Sequence, residues 1–497
     1  MQNTRAKNYT EWYQEVIAGA DMAENSPVRG CMVAKPWGYG IWERLQSILD
    51  RRIKETGHEN CYFPLFVPLS FFEKEAAHVD GFAKEMALVT HSRLKNSGGK
   101  LVLDGQLEEP LVVRPTSETI IADSFARWIQ SYRDLPVLVN QWANVVRWEM
   151  RPRLFLRTTE FLWQEGHTAH SSAGEAMVET RKMLEVYKEL AENAMAIPVL
   201  TGEKTAAERF PGAEDTFCIE AMMQDGKALQ AGTSHFLGQT FAKAAGIKFQ
   251  TKDGGVDHAY TTSWGVSWRL IGALIMTHGD DDGLRLPPAM APSQVVIIPI
   301  IRSEEESAAV MAYCEKLRAD LISRSALGEP VRVKLDSRDR KSQDKRWDWI
   351  KKGVPLIVEV GPRDIEKNQV CVVSRMEIGA KLFLDVKAFA EEVPGRLEEI
   401  QKALFAKAVE FRDANIRSDI HDFAALKAHF APKNEFLAKG GPAFVRAKWC
   451  GDETSEAMLK DMAVTIRCLP FDQSGTKGTC VLTGKEATVD AIFARSY

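Results

Sequence analysis

A chain of 497 residues, 45% hydrophobic and 27% charged, has the make-up of an ordinary globular protein of about three domains. Its 64 basic and 68 acidic residues leave a net charge of −4, which argues against a DNA-coating protein but leaves room for a local basic face that meets RNA. Eight cysteines form no dense paired framework, and no apolar run approaches the ~20 residues of a membrane span. The opening MQNTRAKNYTEWY lacks the apolar segment of a secretory signal, so a cytoplasmic protein without disulfides is expected.

In chain order, IWERLQSIL (41–49) places apolar side chains at 41, 42, 45, 48 and 49, the spacing of one helical face, and Gly57 is its stop signal. CYFPLFVP (61–68) predicts a strand ending in prolines. RPTSETIIADSF (114–125) predicts a helix start capped by Thr116 or Ser117, with Glu118 in the first turn. The same residues also suit a hydroxyl and a carboxylate presented to a cationic amine. From 110 to 285, strand-length apolar runs such as PVLVNQWANVV and FLRTTEFLW alternate with turn signals. That alternation predicts an antiparallel sheet flanked by helices.

RWEMRPRLFLRTTEFLWQEGH (147–167) fits neither a core nor a surface. Trp148, Phe155, Phe161 and Trp163 call for burial, whereas Arg147, Glu149, Arg157, Glu165 and His167 call for polar partners. A strand, loop and return strand with Arg-x-Glu on the first strand suits a clamp for phosphate and base. The guanidinium is a permanently charged fork of donors, and Phe161 can stack on a base. A salt-bridged sheet edge with aromatic packing fits the same residues. LQAGTSHFLGQTF (229–241) places Gln230, Thr233, Ser234 and His235 in one glycine-bounded turn, where His235 meets either a ligand or the backbone. TTSWGVSWRLIGALIMTHGDD (261–281) predicts a Gly/Ser turn leading into an apolar helix, with Arg269 in its first turns. Gly265 and Ser267 would let a ligand approach the backbone there. Arg147 and Arg269 together suit a triphosphate.

GLRLPPAMAPSQ (283–294) marks a boundary. Beyond it, VVIIPI, a helix over 303–323, VRVKL, a helix over 343–352, PLIVEVG and QVCVVSR read as β-α-β-α-β-β. A charged helix over 388–413 leads to a last region ending AIFARSY. The expected domains are therefore 1–285, 290–405 and 406–497. Residues 332–352 hold nine basic and four acidic side chains around Trp347 and Trp349. A solvated charged helix accounts for part of that charge, and stacking on single-stranded RNA is the other reading.

Four segments in this order carry a resemblance. Arg147-Trp148-Glu149 with its return strand resembles motif 2 of the class II aminoacyl-tRNA synthetases. Gly265 to Arg269 resembles their motif 3, and Gly30 through Pro68 resembles motif 1, the dimer element. RPTSE, RWE, EFLWQEGH and AGTSHFLGQ together closely resemble the prolyl-tRNA synthetase family, in its short form without an editing insertion. The resemblance implies an α+β fold: a class II antiparallel-sheet catalytic domain, an α/β anticodon-binding domain and a small α+β C-terminal domain. It implies L-proline, ATP with Mg²⁺, and tRNA(Pro) as partners of a homodimer, with no membrane and no DNA.

By that resemblance, Arg147 bridges the proline carboxylate and the α-phosphate, and Arg269 holds the γ-phosphate. Glu149, Arg157, Thr158, Phe161, Gln230, Thr233 and Ser267 complete the ATP site. Thr116 and Glu118 take the imino group, while Trp163, Glu165, His167 and His235 wall the ring pocket. Arg346, Glu359 and Arg363 are the anticodon candidates. Many short-form relatives bind a structural zinc through four cysteines near the end of the chain. Here Cys450 and Cys480 remain, but Ser455 and Thr483 stand at the other two positions, and Cys468 is a further thiol in sequence reach. Hydroxyls are poor substitutes for thiolates at a closed zinc site, so no metal is expected. The resemblance also directs the Tyr497 carboxylate toward the active site. A seryl enzyme, which also uses Thr-x-Glu, would need a long N-terminal helical hairpin, and none fits before residue 30. A binder without catalysis should have lost part of the arginine set.

Overall fold

Proline at the start and a left-handed glycine past the end bracket the first long helix, Pro36–Glu55. Pro36 stands where its missing N–H is not needed, and Gly57 adopts φ +91°. Trp37, Ile41, Trp42, Leu45, Leu49 and Ile53 line one face and are buried. These features belong to a computed structural model that describes residues 2–73, 85–149, 151–431 and 442–497.

The sheet, antiparallel except for its two parallel edge strands, extends beyond the span expected for it. Among the described residues it has eleven strands. Ile416–Arg417, Phe444–Trp449, Val489–Ala494 and Thr465–Pro470 come first across the sheet. Val199–Glu203, Asp215–Met222, Ala228–Gly238, Tyr260–Ser267, Glu160–His170, Val137–Val146 and Glu59–Asn60 follow. Helix Ala173–Glu189 packs on the Ala228–Gly238 and Tyr260–Ser267 strands. Helix Arg269–His278 is buried along almost its whole length.

Several local expectations are corrected. Within CYFPLFVP only Phe66–Pro68 is a strand. Pro64 has no N–H for a ladder, and the Phe63 N–H goes to Gln141 Oε1 at 2.9 Å. The glycine-bounded turn holding Gln230, Thr233, Ser234 and His235 is instead the strand Ala228–Gly238. Gly265 and Ser267 likewise sit on a strand, and helix Arg269–His278 begins directly after it. Arg147, Trp148 and Glu149 lie just past the end of Val137–Val146 rather than on it, and Trp148 is half exposed. In the Ala228–Gly238 and Tyr260–Ser267 strands, short glycine signals lost to ladder pairing with strands distant in sequence.

The α/β region follows its predicted order. Strands Val333–Leu335, Val295–Pro299 and Leu356–Val360 are parallel neighbours, and Gln369–Ser374 and Glu377–Asp385 continue antiparallel. Helix Val386–Ala414 starts on the Asp385 carboxylate, which accepts from the Lys387 and Ala388 N–H groups, and it runs on past residue 405. The region is bolted to the first part of the chain. The Arg375 guanidinium grips both Asp280 oxygens at 2.5 and 3.0 Å, and the Trp37 indole donates to the Lys352 carbonyl at 3.0 Å. In the basic stretch, Trp349 is buried and donates to Asp336 at 2.7 Å, whereas Trp347 is exposed. Lys345, Arg338 and Arg340 bond to Asp336 or Asp348, so much of its charge is spent within the fold.

Gly166 is one of the tightest points of the central sheet, and the atoms a side chain would meet there belong to a rigid ring. A Cβ there would lie 2.0 Å from the Trp264 ring, which crosses the strand at that position. Gly166→Ala is expected to destabilise the protein by ~1–3 kcal/mol through overpacking. Gly174→Ala, at an exposed helix start with open space around it, should change little. A fall in melting temperature for the first variant and not the second, by differential scanning fluorimetry, is the check.

Candidate active site

Two adjoining cavities of about 340 and 170 Å³ open on the sheet. Arg147, Phe161, Ser267 and Arg269 line both. Thr116, Glu118, Trp163, Glu165, His167, Gln230, Thr233 and His235 line the larger, and Glu149, Arg157 and Thr158 the smaller. Thus the residues singled out for the amino acid and the nucleotide are brought together from four separate segments. Ser234, the odd position among them, turns away and donates to the Thr180 carbonyl at 2.7 Å.

At one end the polar groups form a dense buried network. Glu118 starts helix Glu118–Trp128 and accepts a hydrogen bond from the Thr116 hydroxyl. Neither Thr116 nor Ser117 caps that helix with its side chain. The Ser117 hydroxyl instead donates to Glu165 Oε1 at 2.6 Å, as does the Gln141 amide at 2.6 Å. Glu165 Oε2 pairs with His167 Nε2 at 2.9 Å. Burial opposes both charges, yet the pairing prevails: Glu165 is held below the usual carboxylate range and His167 above the usual imidazole value. His235 behaves oppositely. Burial pushes it down to about 4, so it is neutral, bonded to the Thr216 hydroxyl at 3.0 Å and stacked on Phe210.

The other end is cationic. The Arg147 Nε–H donates to the Pro115 carbonyl at 2.9 Å, and its guanidinium lies 5.5 and 5.7 Å from the Phe161 and Trp163 ring centres. Burial lowers its pKa, opposed by Glu118, Glu85 and Glu165. Burial, then Arg157 and Arg147, push Arg269 down to about 10; it stays charged at neutral pH but sits among like charges. Arg157 reaches Glu149 at 3.7 Å, and the Thr158 hydroxyl donates to the Glu160 carbonyl at 2.7 Å. Phe155, buried with φ +61°, turns the chain sharply ahead of Arg157. An anion of high charge is the ligand this end favours.

Sequence reasoning missed one wall. Glu208, Arg209, Phe210, Pro211 and Thr216 all face the larger cavity. The available signal was an aromatic between Arg209 and Pro211-Gly212, charged and turn-forming at once. In the α/β region, Arg346 donates to both Glu359 oxygens at 3.1 and 3.2 Å, and Lys381 reaches the same carboxylate at 3.0 Å. Arg363 is exposed just beyond the Glu359 strand.

The cysteine positions near the end of the chain do not make a zinc set. Cys450 Sγ lies 3.4 Å from the Thr483 hydroxyl, but Ser455 is spent on the Asp452 carbonyl at 2.5 Å and the Trp449 indole at 3.1 Å. Cys468 is no third ligand: it is buried with Cys218 in a different cluster from Cys450 and Cys480. Two thiols and two engaged hydroxyls suit packing better than zinc. Tyr497 is anchored beside the start of the Ala228–Gly238 strand. Its N–H donates to the Ala228 carbonyl at 3.1 Å, its phenol donates to Asp225 at 2.5 Å, and Arg153 lies over its ring.

The Glu165–His167 pair sets a pH window. The raised His167 contributes stability that is full below its unfolded value of 6.5 and lost as pH rises through its folded value. The lowered Glu165 contributes above 4.5 and loses it as pH falls. Melting temperature measured against pH should therefore fall on the alkaline side in the native chain, and His167→Gln should flatten that limb.

Comparison with known proteins agrees with this arrangement. Residues 102–278 match the model of the tRNA synthetase class II core domain (G, H, P, S and T). Residues 294–396 match an anticodon binding domain, and 433–497 match the prolyl-tRNA synthetase C-terminal domain. The chain is 59% identical over 495 residues to the proline–tRNA ligase of Protochlamydia amoebophila, covering 99% of this chain and 98% of that one. It is 60% identical over 497 residues to that of Paramagnetospirillum magneticum and 56% to that of Bdellovibrio bacteriovorus, with the same coverage. With three matched domains in order and relatives aligned from end to end, the chain belongs to the prolyl-tRNA synthetase family of class II aminoacyl-tRNA synthetases.

Proposed function

We propose that the chain is a proline–tRNA ligase whose two cavities hold L-proline and ATP side by side. The observation that carries this reading is that Arg147 and Arg269 border both cavities. In the first step a proline carboxylate oxygen bonds the α-phosphorus of ATP, and pyrophosphate leaves. In the second, a terminal hydroxyl of tRNA(Pro) attacks the prolyl carbonyl, and AMP leaves. Two anions must meet in the first step, so fixed cations are the largest available catalytic contribution.

Arg147 stands between the ends and aligns the carboxylate with the α-phosphate, and Arg269 holds the far phosphates. Phe161 and the aliphatic stem of Arg269 flank the adenine, with Glu149, Arg157, Thr158, Gln230, Thr233 and Ser267 around it. Glu118 and Thr116 take the cationic imino group. Trp163, His167, Glu165 and the neutral His235 enclose the ring. Mg²⁺ suits the smaller cavity, where Glu149 and Glu85 provide the one or two carboxylates it takes besides phosphate and water oxygens, and it would neutralise phosphate charge.

The reading places a catalytic domain at 1–285, an anticodon-binding domain at 290–405 with Arg346, Glu359 and Arg363 reading tRNA, and a C-terminal domain at 406–497. Homodimerisation through 30–68 and a cytoplasmic location complete it; among the described residues no helix is long and apolar enough to cross a membrane.

ATP–pyrophosphate exchange should be strongest with proline among proline, serine, alanine and cysteine. Arg147→Ala should lower it by about 10²-fold or more. Folded protein that exchanges with none of the four would point instead to a non-catalytic binder. A ring-sized pocket discriminates by only about 1–3 kcal/mol per methylene, so some alanine is expected to be activated. Strands and helices of the core fill much of the interval between His167 and Gly265, which leaves no separate editing domain there. The purified protein should therefore leave alanyl-tRNA intact, and sustained hydrolysis above the spontaneous rate would contradict this.

A further inference from the structure

One wall of the larger cavity comes from outside the sheet and is held from two sides. Residues 204–214 join strand Val199–Glu203 to strand Asp215–Met222, and Glu208, Arg209, Phe210 and Pro211 of that connection line the cavity. On the inner side, the Phe210 N–H donates to the Thr216 hydroxyl at 3.1 Å, and the Phe210 ring stacks on His235 with centres 4.5 Å apart. On the outer side, the Thr205 hydroxyl donates to Glu456 Oε2 at 3.1 Å, across 251 residues of sequence. Glu456 belongs to the 3₁₀ helix Glu453–Met462 of the C-terminal region and lines neither cavity.

Thr205 spends its hydroxyl away from home. It stands at the start of the short 3₁₀ turn Ala206–Glu208, where a threonine normally caps, yet its side chain makes no capping bond. Backbone alone closes the turn: the Glu208 N–H donates to the Thr205 carbonyl at 3.0 Å. Thr205 is buried, whereas Ala206, Ala207 and Glu208 are exposed, so little packing fixes the turn. Glu456 is half-buried, with Glu208 and Glu453 as acidic neighbours, and its second oxygen is buried without a hydrogen-bond partner among the described residues. Such a carboxylate is poor packing material. Nor is it needed merely to attach the C-terminal region. Leu469 and Pro470 already pair with Glu203 and Gly202, and the Phe471 N–H donates to the Thr201 carbonyl at 3.0 Å.

We propose that Glu456 is a positioning residue for the amino-acid pocket: by accepting the Thr205 hydroxyl it holds the 205–211 connection where Phe210 closes the wall beside His235. This rests on reading that end of the cleft as the proline site. The C-terminal region thereby shapes amino-acid recognition without touching the amino acid. The smaller cavity, which the connection does not line, is left alone.

Proline-dependent ATP–pyrophosphate exchange, with KM measured separately for proline and for ATP, separates the possibilities. No proline-dependent exchange by the native chain would overturn the reading of the site and this inference with it. Given exchange, Glu456→Ala and Thr205→Val should each raise the KM for proline about tenfold and shift the KM for ATP by less than about twofold. Glu456→Gln and Thr205→Ser keep an acceptor and a donor, so each should stay within about threefold of the native value. Combining Glu456→Ala with Thr205→Val should add little to either loss, because both remove the same bond. An unchanged KM for proline, or an equal rise for both substrates, would overturn the proposal. So would conservative variants as impaired as the truncations, or losses that multiply in the double variant. If Glu456→Ala is unfolded by circular dichroism, Thr205→Val and Thr205→Ser carry the same comparison.

Discussion

Holding several guanidinium groups in one half-dry cleft is the constraint around which the catalytic sheet is built. Arg147 and Arg157 both repel Arg269, and burial makes the Arg147 and Arg269 cations more expensive. The fold offsets this with partners that hold without neutralising. Backbone carbonyls of Pro115 and Leu156 accept from Arg147 and Arg269, aromatic faces lie beside Arg147, and carboxylates stand near it on the amino-acid side. What remains unsatisfied is an attraction for anions, fixed in place before the ligand arrives. Preorganisation of that kind removes the reorganisation that water would otherwise have to undergo during the reaction.

The amino-acid end uses the opposite device. Its charges are paired internally: Glu165 with His167, Ser117 and Gln141, and Glu118 with Thr116. Hydroxyls that would ordinarily cap helix Glu118–Trp128 are diverted into the pocket. On the proposed reading this end recognises a small ring, which cannot offer many contacts. Its walls therefore have to be rigid, and the buried hydrogen-bonded network around Glu165 achieves that. The neutral His235 stacked on Phe210 adds an apolar wall at little electrostatic cost.

The C-terminal region is continuous with this machinery. Thr465–Pro470 pairs with Val199–Glu203, and Tyr497 ends beside the strand that carries Gln230, Thr233 and His235. The buried Arg467–Glu220 grip and the Arg153–Tyr497 contact tie it to the catalytic sheet. Sheet pairing and the cluster around Trp449, Ile466 and Phe493 supply the cohesion there.

Much was legible from letters alone, and the reason is local. The face of helix Pro36–Glu55, the β-α-β order of residues 295–374 and the charged-aromatic mixture of 147–167 each depend on neighbours a few positions apart. Chemistry that needs arginine forks, a carboxylate and aromatic faces leaves those residue types in the sequence wherever the chain later runs. Tertiary structure decided the rest. It made Ala228–Gly238 a strand where glycines suggested a turn, because ladder partners on both sides outweighed a local preference. It brought Phe210 and Arg209 to the cavity from a stretch with only a turn signal, and it separated Cys468 from Cys450 and Cys480. It also set Arg467 against Glu220, 247 residues away along the chain. Pairings at that distance follow from which strands become neighbours, and no window of sequence contains that information.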